Sequence, residues 1–152
     1  MARKPIPDEH HVMRFCRARL IYTDKTGKLC VWPDAFLLRP ATKEKPEEDY
    51  LSSDYFEHFS GTAEQILEQC RSACKIVNIK NDDQLAQLNV GKMKEQGDKR
   101  KLNIKVLHQG TKSRPSYAGV YGLPSPTQES EALAVAQLIA EFAVNDVFLC
   151  KA

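Results

Sequence analysis

The chain has 152 residues, 42% hydrophobic and 28% charged, with a formal net charge of +2. That length suits one domain, which can bury about two-thirds of its unfolded surface without staples. The composition excludes a disordered or fibrous chain. Its longest nearly apolar run, residues 132–144, is broken by Gln137 and Glu141 and falls short of the roughly 20 residues that span a bilayer, so no membrane association is expected.

Residues 1–9 are polar, carry Pro5 and Pro7, and read as a flexible arm; residues 10–152 read as the single domain. No apolar run follows Arg3 and Lys4, so no secretory leader is expected. Residues 11–22 alternate as a strand, with Met13 and Phe15 on one face and Val12, Cys16, Ala18 and Leu20 on the other. Asp24-Lys25-Thr26-Gly27 is a turn signal, and residues 29–38 return as the second strand of a hairpin, bent or at an edge because Pro33 cannot donate to a ladder. Residues 39–50 form an acidic loop. Asp54 and Glu57 have capping-box spacing and predict a short helix over Tyr55, Phe56 and Phe59.

Thr62 and Gln65 make a second capping box. It opens a helix whose stripe is Ile66, Leu67, Cys70, Ala73, Cys74 and Val77. Residues 82–96 read either as a helix capped by Asp82 or as a short strand followed by a helical turn; Ala86, Leu88 and Val90 alternate and favour the second. Residues 97–101 are a basic turn, Leu102, Ile104 and Val106 alternate as a strand, residues 109–116 are a loop, and residues 117–121 suit another strand. Ser125, Pro126 and Gln128 mark the start of a helix reaching Phe142, and residues 147–150 close the chain as a strand. The order predicts an α+β fold: a mixed sheet beginning with an N-terminal hairpin and covered by two or three helices.

Five cysteines (Cys16, Cys30, Cys70, Cys74 and Cys150) at irregular spacing do not form a disulfide framework and point to a reducing cytoplasm. Cys70 and Cys74 lie on an apolar helical stripe and read as core, since no CxxC pattern accompanies them. No metal and no cofactor is expected. Ser52, Ser53, Asp54 and His58 lack the glycines of a nucleophile elbow and read as caps.

Charge is segregated along the chain. Residues 42–69 hold eight acids against two lysines, a balance of −6, while residues 75–114 hold ten bases against four acids, a balance of +6. Without a recognisable catalytic motif, this pattern favours a non-enzymatic protein-interaction module, an accessory, regulatory or immunity-type subunit. Glu47, Glu48, Asp49, Tyr50 and Tyr55 would meet the partner, with aromatics as anchors and charge guiding encounter. One alternative is a small enzyme acting on a phosphate-bearing or nucleotide-like substrate, using His10 or His11 with Arg14 and the loop that joins His108 to Arg114. That loop lacks the glycine and lysine spacing of a phosphate-binding loop. Another alternative is a nucleic-acid-binding accessory protein, using Lys92, Lys94, Lys99, Arg100, Lys101 and Lys105.

Overall fold

The computed structural model describes residues 3–74 and 83–149. The chain opens with β1 (Lys4–Pro5) and β2 (His11–Cys16), then a small hairpin of β3 (Ile21–Thr23) and β4 (Leu29–Val31). β5 (Tyr50–Tyr55) and α1 (Ala63–Cys74) follow. Next come β6 (Gln84–Asn89), α2 (Val90–Lys99), β7 (Lys105–His108) and β8 (Tyr117–Tyr121), and the chain closes with α3 (Glu129–Phe142) and β9 (Val144–Leu149). Seven strands form one sheet in the order β1-β7-β8-β5-β2-β6-β9, while β3 and β4 pair separately. The fold is α+β in a single domain, as expected. Every described strand pair is antiparallel, where the sequence suggested a mixed sheet.

The expected hairpin is divided between two sheets. β2 stops at Cys16 because buried Asp83 takes the Ala18 N–H at 2.8 Å and turns the chain into a 3-10 helix over Ala18–Leu20. β4 stops at Val31, and Pro33 opens a second 3-10 helix, Pro33–Phe36, so the proline bends the chain there. The turn forms as read. Asp24 Oδ1 accepts the backbone N–H groups of Thr26 and Lys28, and Gly27 takes φ +86°, a value that favours glycine.

The larger correction is β5. The capping-box reading placed a helix start at Asp54, but residues 50–55 are an inner strand paired with both β2 and β8. The 3-10 helix Phe56–His58 that follows has no side-chain cap, because Asp54 is engaged elsewhere. Within the segment read as a flexible arm, residues 4–8 lie along the sheet. Lys4 and Pro5 pair with β7, Ile6 is 3% exposed, and Gly91 N–H bonds Asp8 O. The Thr62–Gln65 box forms reciprocally at 2.8 and 3.2 Å. The predicted N-cap Ser125 instead makes a turn with Thr127 one step earlier, and Gln128 flanks α3. Val77, Asp82 and Cys150, assigned above to the stripe, a cap and the last strand, lie outside the described residues.

Each face of the sheet has its own core. Val12, Leu51, Leu88, Val106 and Val120 pack with Val90 and Met93 of α2 and Val135 and Ile139 of α3. Burying each such side chain contributes about 1.5–3 kcal/mol. On the opposite face Met13, Phe15 and Leu85 pack with Ile66, Cys70 and Ala73 of α1. Cys70 is core, as its stripe predicted.

Candidate functional site: a tyrosine face and an arginine cleft

Register decides which side chains share a face, because residues paired across strands point the same way and neighbours along a strand alternate. Met13 pairs Asp54, Asp54 pairs Tyr117, Ser52 pairs Gly119, and Tyr50 pairs Tyr121. Three tyrosines therefore stand on the α1 side of the sheet, beyond the part that α1 packs against. Tyr50 and Tyr121 have ring centroids 4.8 Å apart, and the Tyr50 and Tyr117 rings meet edge-on at 6.1 Å. All three stay half-exposed. Gly119 makes their seat: a Cβ there would stand 2.8 Å from Tyr50 Cδ2 and 3.0 Å from Tyr121 Cε1.

Hydrogen bonds fix the rings. Tyr117 OH lies 2.8 Å from Ser52 Oγ and 3.1 Å from Tyr50 OH, and Tyr121 OH donates to Gln109 Oε1. The hydrogen bond with Tyr117, followed by burial, pushes the Tyr50 hydroxyl up to about 12, so Tyr50 stays neutral at physiological pH. Cations frame it. The Arg3 guanidinium lies 5.5 Å over the Tyr121 ring and that of Arg114 lies 4.9 Å over Tyr117. Lys112 and Arg3 line a hollow of about 510 Å³ beside Tyr50 and Tyr117.

Next to the tyrosines the sheet splits. β2 pairs with β6 over six register positions but with β5 over only two, ending at Met13 and Asp54. Arg14 fills the gap. Its Nη1 donates to Ser52 O at 2.8 Å and its Nε to Ala35 O at 3.1 Å, replacing ladder bonds that the parted strands cannot make. Burial lowers the Arg14 pKa, though a guanidinium starts too high to lose its charge. The split opens as a cleft of about 360 Å³ lined by Arg14, Arg17, Arg19, Arg39 and Arg114, with Asp54 the one carboxylate in its wall. Asp54 is 3% exposed and saturated: Arg114 grips it through Nε at 2.9 Å and Nη2 at 2.5 Å, and Ser116 donates at 2.8 Å. Arg17 pairs with buried Asp83 at 3.2 Å. Arg19 and Arg39 are exposed and have no ion pair among the described residues.

The sequence candidates distribute unevenly over these sites. Arg14 and Arg114 do meet, in the cleft. The histidines do not line the cleft: His10 and His108 lie against Tyr55 instead. His10 Nδ1 shares a hydrogen bond with Tyr55 OH, His108 lies 5.2 Å from the Tyr55 ring, and His58 lies 5.7 Å from His108. His11 is held by Glu57, which takes both its ring Nδ1 and its backbone N–H. The acidic candidates do not make one surface with the aromatics. Glu47 accepts from Ser125 and Glu48 from the Arg39 N–H, Asp49 is exposed, and Tyr50 and Tyr55 have opposite parity on β5. The basic candidates lie on or after α2, on the other side of the sheet, except Lys105, which pairs with Tyr121. Lys94 bonds Asp8, Lys99 pairs Glu95, and Arg100 pairs Glu131. Lys92 and Lys101 are exposed.

The spacing of Tyr117 and Tyr121 suits one strand face, but their meeting with Tyr50 and the joining of Arg19 and Arg39 in one cleft were not legible, because only the β5–β8 register and the β2–β5 split bring those residues together. Among the described residues no group of three or more His, Cys, Asp or Glu side chains could hold a metal ion. No described helix is long and apolar enough to cross a membrane. Comparison with protein-family models, curated proteins and solved structures finds no match.

Proposed function

We propose that the protein is a binding module for single-stranded nucleic acid, which lies across the tyrosine face of the sheet. The observation that carries this reading is the joint placement of Tyr50, Tyr117 and Tyr121 on one half-exposed face, framed by Arg3, Lys112 and Arg114. Unstacked bases need aromatic rings fixed in place, and their phosphates need cations at the rim. Rings pinned by hydrogen bonds lose little freedom when a base settles on them, so stacking is not offset by ordering. Duplex fits this surface less well, since paired bases hide their faces from tyrosine rings.

Fluorescence anisotropy with labelled eight-nucleotide strands at low salt tests the reading. Single strands should bind more tightly than a hairpin duplex of the same composition. Each stacked base is worth about 1–3 kcal/mol, so Tyr50→Ala should weaken binding by roughly one order of magnitude. Equal affinity of wild type and Tyr50→Ala would sink the proposal, as would no binding to any strand.

A further inference from the structure

The arginine cleft at the β2–β5 split, we infer, is a receptor for a terminal phosphomonoester, so that the strand on the tyrosine face is held by a phosphorylated end. This rests on the nucleic-acid reading above for the strand, while the cleft has its own chemistry. Its wall carries five guanidinium groups and one carboxylate, a formal balance of +4. That carboxylate is already engaged by Arg114 and Ser116. Two carboxylates outside the wall lower this further: Asp83 pairs with Arg17, and Glu48 acts on Arg14 and accepts the Arg39 N–H, which leaves +2.

The residue type matters as much as the charge. Surfaces that track a phosphodiester backbone can use lysines as point charges along a groove. Here every cation is arginine and all converge on one bounded space. A guanidinium fork pairs two donors with two oxygens of one phosphate. A phosphomonoester offers three free oxygens and close to two negative charges near neutral pH, whereas a diester offers two oxygens and one charge. Several forks around one point therefore fit the terminal group better than an internal one.

Position supports the same ligand. The cleft joins the tyrosine face through Arg114, which lies over Tyr117, and through Ser52, which bonds both Tyr117 and Arg14. A base stacked near Tyr117 would bring its own phosphate to the mouth of the cleft. Arg14 is locked by Ala35 and Ser52 and forms the floor. Arg19 and Arg39 are the exposed guanidiniums at its rim.

The experiment compares strands of one sequence ending in a 5′-phosphate, a 3′-phosphate or hydroxyls, against wild type, Tyr50→Ala and the double variant Arg19→Ala/Arg39→Ala. Both arginines are exposed, so the double variant should fold. One phosphorylated end should bind wild type at least about tenfold more tightly than the hydroxyl-ended strand. The double variant should erase that gap, while Tyr50→Ala weakens all three strands alike. Equal binding of all three to wild type overturns the cleft assignment and leaves the tyrosine face standing. If no strand binds, the nucleic-acid reading falls, and calorimetry with a nucleoside 5′-monophosphate and with inorganic phosphate judges the cleft alone. Saturable binding lost in the double variant would retain it, and absence of binding would overturn it.

Discussion

Asp54 shows how one side chain can govern a site. A carboxylate 3% exposed is tolerated only because Arg114 meets it with two parallel hydrogen bonds and Ser116 adds a third. The same Arg114 then presents its cationic plane to Tyr117 and to the cleft. Arg114→Ala should therefore destabilise the protein by about 3–5 kcal/mol, the usual cost of leaving a buried charge without its partner. Arg114→Lys should recover only part of that, since an ammonium cannot supply the fork. Urea unfolding measures both. A loss below about 1 kcal/mol for Arg114→Ala would mean that Asp54 reaches water or another cation once the arginine is gone. The sequence offered Arg114 and Asp54 as separate candidates, one for phosphate and one for a cap. Their pairing spans 60 residues, and no local pattern encodes it.

At the scale of elements, legibility followed periodicity. α1, β8 and α3 were read near their observed places because capping chemistry and apolar spacing are local signals. β5 was missed for a physical reason. Ser52, Ser53 and Asp54 look like turn and cap residues, yet tertiary partners satisfy each of them: Tyr117 for Ser52, Ala118 O for Ser53, and Arg114 for Asp54. A strand whose polar groups are paired across the sheet loses its alternating signature. β8 carries the complementary device. Gly119 is there so that two rings can lie against the backbone. Gly119→Ala places a Cβ within 3.0 Å of both rings, and the side chains must give way. The expected outcome is a stability cost of about 1–3 kcal/mol with the sheet retained, together with weaker binding of single strands. Circular dichroism and anisotropy on the same sample separate the two effects. Unchanged binding would show that the seating of Tyr50 and Tyr121 is irrelevant to the ligand.

For the whole molecule, the question is which side of the sheet meets an anion, and net charge cannot answer it. The run of bases around α2 was the most visible charge feature in the sequence, but three of its cations bond acids of the fold, at Asp8, Glu95 and Glu131. The cations of the tyrosine side and its cleft include Arg3, Arg19, Arg39, Lys105, Lys112 and Arg114, which are scattered along the chain and collected by topology. Two charge-reversed variants distinguish these sides at equal net charge. Lys92→Glu/Lys101→Glu alters the α2 side, and Arg3→Glu/Lys112→Glu alters the tyrosine side; all four positions are exposed. Both change the formal net charge by −4, from +2 to −2, so long-range repulsion is matched. Each phosphate contact to a single strand contributes about 0.7 to the slope of log affinity against log salt. Reversal on the tyrosine side should lower that slope by about 1.4 and cost at least one order of magnitude in affinity near 50 mM salt. Reversal on the α2 side should leave the slope intact and shift affinity only by the screened, distance-weakened repulsion, which fades as salt shortens the Debye length. The opposite ranking would move the nucleic-acid surface to α2 and leave the tyrosines as packing.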